Sequence, residues 1–367
     1  MKFTVGTELM KDVVARAIKG AGNNKLLPIT SMMCVELSDN MLTTITTDGT
    51  NYLYINEEHV AGDDFYVVVD ATQFAKLIGK MTSENISMSV KDNLLTVKGN
   101  GTYKIELPLD ENGATIKYPD PLMTIDKSGS IIESCGTINR STIQVVLDTV
   151  KPALAVTLEN PCYTAYYAAD KIVATDTYKI ASMDVKFFDK PVLISANFLD
   201  LVSVMKNEKI DVGIEGNNLV YSSGDCVIYG KFAEGVEDFA IEPISNLIDQ
   251  EFDSFCAVPK NELLQMLDRL SLFVGAYDKN EVDLTFTENG LQVSSKATSG
   301  VEIISYVKSE EFKPFTCSID IQMLIQEVKA IQSDLIEMFY GNDQSIKMVD
   351  GNITIVVALA YDDEDEE

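Results

Sequence analysis

The sequence has no tryptophan, one histidine, six cysteines and only 29 Lys and Arg against 57 Asp and Glu in 367 residues. Each scarcity excludes something. His59 stands in the polar stretch NEEHVAGDD and reads as a solvated side chain. A Ser-His-Asp or Cys-His catalytic machine would have to use it, and no G-x-S-x-G nucleophile turn is present. Cys34, Cys135, Cys162, Cys226, Cys256 and Cys317 are scattered, with no C-x-x-C. They read as small buried hydrophobes, with neither a zinc site nor a disulfide framework expected. No G-x-x-x-x-G-K-[ST] loop exists and no G-x-G-x-x-G opens a helix, so no nucleotide cofactor is expected. No apolar run approaches the roughly 20 residues that span a bilayer. The start, MKFTVGTELMKD, lacks the apolar core of a signal peptide, so the expectation is a soluble, cytoplasmic chain without membrane partners. A formal charge of −28 by itself also argues against nucleic acid, because carboxylates repel phosphate.

What is present is a folded composition, 46% hydrophobic and 23% charged, in a length that suits two or three domains. Internal repetition is the main signal. Segments beginning at Val69, Ile194 and Cys317 each read as a short strand, a helix of about three turns and three strands joined by tight turns. The turns Lys91-Asp92-Asn93, Gly216-Asn217-Asn218 and Asp350-Gly351-Asn352 carry residues that tolerate positive φ. A weaker unit of the same layout precedes each. Thr47-Asp48-Gly49 and Thr175-Asp176-Thr177 mark equivalent corners. Six units pair into three domains, 1–122, 123–245 and 246–361, with an acidic tail at 362–367. Breaks are expected near Pro119-Asp120-Pro121 and Glu242-Pro243-Ile244.

The six helices, read at 7–20, 70–82, 139–152, 195–206, 259–270 and 319–331, each show a wide apolar stripe and a narrow polar one. Arg16 and Lys19, Lys76 and Lys80, Lys151, Lys206, Arg269 and Lys329 fall on the polar stripes. Together the helices hold eleven basic and nine acidic residues, so they are far less acidic than the rest of the chain. A single solvated face ordinarily carries Lys and Gln; six equivalent faces in a repeat suit the non-specific tracking of a phosphate backbone.

In the order and spacing of these units the sequence resembles the bacterial-type DNA polymerase sliding clamp, the beta subunit of DNA polymerase III. The resemblance rests on Leu27-Pro28-Ile29, CVELSDNMLTTITTDGTNYL, IVATDTYKIA and the terminal strand ITIVVALA. It implies an α+β DNA-clamp fold of three repeated domains, helices inside and sheets outside. Two chains are then expected to close head to tail into a ring around double-stranded DNA, without catalysis and without cofactor. Lys11, Arg16, Lys19, Lys25, Lys76, Lys80, Arg140, Lys151, Lys206, Arg269 and Lys329 would face the DNA. DNA polymerase and clamp loader would dock by short hydrophobic peptide motifs in a pocket. Its walls carry over to Thr175, Thr177, Tyr178, Lys179, Ile180, Pro243, Tyr277, Met323, Ser345, Ile346, Val356, Ala358, Leu359 and Ala360.

The homodimer joint would pair the strand Thr102–Leu107 with Val301–Val307 of a second copy. Tyr103, Lys104, Ile105, Leu107, Glu302 and Ile304 lie along it, and Ile78, Leu272 and Phe273 supply apolar packing. Three departures from the family suggest a divergent member, from a phage or an AT-rich bacterial genome. Thr177-Tyr178-Lys179 replaces Gly-His-Arg, Ala358-Leu359-Ala360 replaces Met-Pro-Met, and the chain runs on into the acidic tail. The competing reading is a repetitive β-rich protein-binding scaffold that does not encircle DNA; an enzyme acting through acidic clusters is the weakest reading.

Overall fold

The structure, a computed structural model, describes residues 1–157, 160–275, 280–295, 300–309, 312–342 and 344–360. A strand, a helix and three strands recur six times. The first unit is β1 (Lys2–Gly6), α1 (Thr7–Ala17), β2 (Met32–Ser38), β3 (Met41–Thr47) and β4 (Asn51–Glu57). The second is β5 (Phe65–Asp70), α2 (Ala71–Gly79), β6 (Asn85–Lys91), β7 (Leu94–Lys98) and β8 (Thr102–Glu106). A linking helix α3 (Pro121–Ser128) precedes the third: β9 (Glu133–Asn139), α4 (Arg140–Thr149), β10 (Ala165–Ala168), β11 (Ile172–Thr175) and β12 (Lys179–Met183). The fourth is β13 (Val192–Ser195), α5 (Ala196–Asp200), β14 (Lys209–Glu215), β15 (Asn218–Ser223) and β16 (Cys226–Lys231). After a second linking helix, α6 (Ile241–Ile248), the fifth holds β17 (Ser254–Pro259), α7 (Lys260–Leu270), β18 (Glu281–Thr287), β19 (Gly290–Ser295) and β20 (Val301–Ile304), with a short extra strand β21 (Val307–Lys308). The sixth is β22 (Phe315–Asp320), α8 (Ile321–Ala330), β23 (Leu335–Tyr340), β24 (Ser345–Asp350) and β25 (Ile353–Ala358).

Local chemistry sets these bounds. Asp70, Asp120 and Asp320 cap α2, α3 and α8 by accepting from backbone N–H groups two or three residues on. Asp92 and Asn93 both take positive φ in the β6–β7 turn, as does Gly216 in the matching β14–β15 turn, and Gly351 in the β24–β25 turn. Two expectations change. The helix read at 195–206 is α-helical only to Asp200 and continues as a 3-10 turn at Leu201–Val204. There Ser203 turns its hydroxyl back onto the Asp200 carbonyl, and β-branched Val202 and Val204 add little helical preference. The stretches around Pro121 and Pro243 open helices, since proline fits a first turn where no N–H is needed.

Contacts divide the chain into two compact units. One contains residues 1–143 and 197–232; the other contains 144–196 and the chain from 233 onward. The first holds an eight-stranded sheet, β5-β2-β3-β4-β16-β15-β14-β9, and a four-stranded sheet, β1-β6-β7-β8. The second holds a nine-stranded sheet, β13-β10-β11-β12-β25-β24-β23-β17-β21, and a four-stranded sheet, β20-β19-β18-β22. The central junctions follow one rule. β4 pairs antiparallel with β16, Asn51 opposite Gly230, and β12 with β25, Lys179 opposite Val357. In each, the last strand of one repeat unit joins the last strand of the unit three further along.

Side chains alternate across these sheets with period two. In the first unit Thr46 donates to the Ala17 carbonyl at the end of α1, while its neighbour Ile45 packs with Tyr54, Tyr118 and Ile125 under α3. In the second, Ile180 and Val356 pack with Phe239, Ile244 and Ile248 under α6. Linking helices therefore cover the sheet faces opposite to those that meet the repeat-unit helices.

Candidate functional site

The two corners that share a Thr-Asp signature have the same hydrogen bonds. Thr47 Oγ1 donates to the Asn51 carbonyl at 2.6 Å and accepts from Gly49 N at 3.0 Å. Asp48 Oδ1 accepts from Thr50 N and Asn51 N. At the second corner Thr175 Oγ1 donates to the Lys179 carbonyl at 2.7 Å and accepts from Thr177 N at 3.0 Å. Asp176 Oδ1 accepts from Tyr178 N and Lys179 N. Short polar side chains thus replace backbone partners and fix both turns. They differ at one position: φ is +101° at Gly49 and +80° at Thr177, where a β-branched side chain is strained.

The turn delivers Lys179 to one face of β12 and Ile180 to the other. Lys179 Nζ donates to the Pro152 carbonyl at 2.6 Å and to Gln326 Oε1 at 2.7 Å, and lies 2.9 Å from Glu327 Oε1. Both charged side chains are almost wholly enclosed. Burial pushes the Glu327 carboxyl above the usual carboxylate range, and Lys179 opposes that rise. On the α6 face Ile180 stands opposite Val356, which stands opposite Lys347 and then Phe339. Lys347 Nζ donates to the Gln250 and Ile248 carbonyls, holding the carboxyl end of α6.

Among the expected pocket residues Thr177, Tyr178 and Pro243 are exposed, while Met323, Ala358 and Ala360 are half-buried. Thr175, Ile180, Ser345, Val356 and Leu359 are buried, and Ile180 and Val356 belong to the cluster under α6. Two require correction. Lys179 is enclosed in its ion pair, so it offers no exposed wall. Ile346 stands opposite Val357 and is fully buried on the other face; strand alternation puts Lys347 beside Val356 instead. Tyr277 lies outside the described residues, as does the acidic tail. Sequence reasoning missed the linking helix, whose Ile241, Ile244, Leu247 and Ile248 sit against this cluster. Their helical spacing was legible, but the proline read as a break. Ser345 Oγ and Asn342 Nδ2 are buried and have no hydrogen-bond partner among the described residues.

Of the expected DNA-facing residues Lys19, Lys25, Lys76 and Lys80 are exposed and form no ion pair among the described residues. Lys11 pairs with Glu8, Lys206 with Asp12, and Lys329 approaches Asp268 at 3.9 Å. Arg140 and Lys151 are half-buried. Arg16 is a correction: three residues after Val13, it lies on the buried side of α1. Its guanidinium donates to both Asp225 oxygens, at 2.6 and 3.0 Å, and to the Val204 carbonyl. Burial alone would raise the Asp225 carboxyl, but the hydrogen bonds from Arg16, with Lys206 nearby, hold it below the usual range.

Two strand edges remain. β8 and β20 each end a four-stranded sheet. Tyr103 on β8 and Val301 and Ile303 on β20 are exposed, as are Leu272 and Phe273 nearby in sequence to α7. Lys104 is exposed, whereas Ile105, Leu107 and Ile304 turn inward. Arg269 grips Glu302 with two hydrogen bonds, at 2.9 and 2.6 Å. These bonds draw the Glu302 carboxyl below its usual range. Ile78 is fully enclosed beneath α2 and supplies no joint surface, which corrects its assignment.

Six repeat units, paired junction sheets and linking helices decide the architecture. The chain has the sliding-clamp fold. Its residues 1–112 match the family model of the DNA polymerase III beta subunit, N-terminal domain. Among solved structures it superposes on the DNA polymerase sliding clamp of Bacillus subtilis with a TM-score of 0.83 at 16% identity, covering 99% of both chains. The DNA polymerase III beta subunit of Thermotoga maritima gives 0.82 at 16% identity, covering 98% of this chain and 99% of that one. The DnaN sliding clamp of Bartonella birtlesii gives 0.83 at 15% identity, covering 99% of this chain and 100% of that one. No curated protein matches the sequence. No helix among the described residues is long and apolar enough to cross a membrane.

Proposed function

We propose that this protein is a non-catalytic DNA sliding clamp that encircles duplex DNA as a homodimer and tethers a DNA polymerase and other motif-bearing proteins. The observation that carries this reading is the junction rule. The last strand of the first unit joins that of the fourth, and the third joins the sixth. The fifth unit's β20 therefore lacks a partner of the second-unit type within its own chain, and the second unit's β8 is that type. A second copy supplies it, and the same rule applied twice closes a ring of twelve units. Pairing also removes two exposed apolar edges that would otherwise promote aggregation.

The two existing junctions give the same register when transferred to the third. Leu53 opposite Ile228 and Ala181 opposite Ile355 both translate to Gly300 opposite Tyr103 of the second copy. Val301 then faces Thr102. In this register Glu302 lies diagonal to Tyr103, and its own-chain partner Arg269 remains attached. Lys19, Lys25, Lys76 and Lys80 face DNA, and an otherwise acidic surface discourages DNA from adhering elsewhere. Beside α6, the apolar residues Ile180, Val356 and Ala358 with the unpartnered Ser345 hydroxyl suit an extended hydrophobic peptide: burial for its side chain and a hydrogen bond for its backbone. The work of such a clamp is cytoplasmic.

The test is a double variant, Thr102→Cys with Val301→Cys, oxidised in dilute solution. Facing β-residues come close enough for a disulfide or a short bismaleimide link. A covalent dimer with both joints closed is expected, at about twice the 40.4 kDa of one chain. A chain that stays monomeric by light scattering and never cross-links at this pair would overturn the ring and favour a protein-binding scaffold.

A further inference from the structure

The first compact unit has its own linking helix, α3, and beside it a cleft of 460 Å³. Tyr52, Tyr229, Asp120, Glu215, Pro119 and Ile125 line it, and no basic side chain does. The two rings stand edge to face, 6.3 Å between centroids at 65°. Repetition makes this the counterpart of the α6 surface. Tyr52 follows Thr47 by five residues as Ile180 follows Thr175, and Tyr229 stands opposite Tyr52 as Val356 stands opposite Ile180. The position is conserved by the repeat; its chemistry is changed from aliphatic to aromatic and acidic.

The charge there is unbalanced. Asp120 Oδ1 accepts from Tyr54 Oη and from Met123 N, and Glu215 Oε2 accepts from Asn218 Nδ2 at 3.1 Å and Tyr229 Oη at 3.4 Å. The second oxygen of each carboxylate accepts no hydrogen bond from the described residues. Glu36 on β2 is held above the usual carboxylate range by burial and by the nearby Asp120 charge. Neither Asp120, Glu215 nor Glu36 has an ion-pair partner among the described residues. Carboxylates gathered against an edge-to-face tyrosine pair with no cation are complementary to one.

We propose that this cleft binds the arginine or lysine side chain of an extended peptide segment from a partner protein. The cation would sit against the tyrosine pair and the free carboxylate oxygens, while its aliphatic stem lies along Ile125, Pro119 and Pro121. Bare nucleic acid is disfavoured by the same carboxylates. This inference does not depend on ring closure, because every residue it uses belongs to one compact unit.

The experiment uses the full chain and two fluorescein-labelled hexapeptides of alanine, leucine and proline, one with a central arginine and one with citrulline. Citrulline keeps the shape and removes the charge. By anisotropy the arginine peptide is expected to bind about tenfold more tightly, the scale of one desolvated cation–π and carboxylate contact. Glu215→Gln, at the end of β14 and retaining a side-chain acceptor for Asn218, is expected to remove that preference while circular dichroism and thermal midpoint stay unchanged. Equal binding of the two peptides, absence of saturable binding by either, or an arginine preference that survives Glu215→Gln would overturn the proposal. The last outcome would mean diffuse attraction to an acidic surface.

Discussion

Lys179 Nζ and Glu327 Oε1 lie 2.9 Å apart with almost no access to water, joining the corner after β11 to α8. Removing one partner leaves a buried charge, which costs about 3–5 kcal/mol, whereas replacing both by apolar groups is often neutral or stabilising. Lys179→Ala is therefore expected to lower stability by about that amount. The pair Lys179→Met with Glu327→Leu is expected to recover most of it. Urea unfolding of the two variants checks this, and equal losses would show that the coupling is absent.

Thr177 holds φ at +80° in a turn whose twin uses glycine. Strain for such a residue is about 1–3 kcal/mol, against a glycine entropy cost of about 0.5–1 kcal/mol. Thr177→Gly should therefore raise stability by about 1 kcal/mol, and Gly49→Thr should lower it. Thermal midpoints of the two variants decide the point.

These residues also show how far the sequence could be read. The Thr-Asp signature announced both corners because a threonine hydroxyl and an aspartate carboxylate close such turns by local bonds alone. The six units were legible for the same reason: period and turn chemistry are local. What each polar side chain meets was not. Arg16 looked solvent-facing because its partner Asp225 is 209 residues away, and Lys179 looked like a pocket wall because Glu327 was not visible from its own strand. Ile346 and Lys347 were exchanged by one step of strand alternation. The linking helix α6 was overlooked because Pro243 was given the weight of a break.

Asp225 supplies a pH dependence. Its folded pKa is depressed, so it stabilises the fold above its unfolded value of about 3.9, and that contribution disappears as pH falls through the lower folded value. Asp225→Asn should lose about 1–2 kcal/mol at neutral pH, reduced from a fully buried pair by partial solvent access. The difference from the parent protein should shrink in acid. A gap independent of pH would place the cost in packing.

Lys76 and Lys80 are exposed, on and just after α2, and form no ion pair among the described residues. Lys76→Glu with Lys80→Glu should weaken association with DNA at low salt, and the loss should fade as added salt screens both proteins alike. Peptide binding beside α6 should not change. A DNA response equal to that of the parent protein would remove these lysines from the DNA-facing surface.

Encirclement is tested most directly by closing the ring on DNA. The Thr102→Cys, Val301→Cys protein is oxidised in the presence of nicked circular or linear duplex, then brought to high salt. A closed ring around a circle is held by topology and should remain until that circle is cut; on linear DNA it should slide off. Equal, salt-sensitive release from both would contradict the account, because binding through phosphate charge alone does not distinguish a circle from a line.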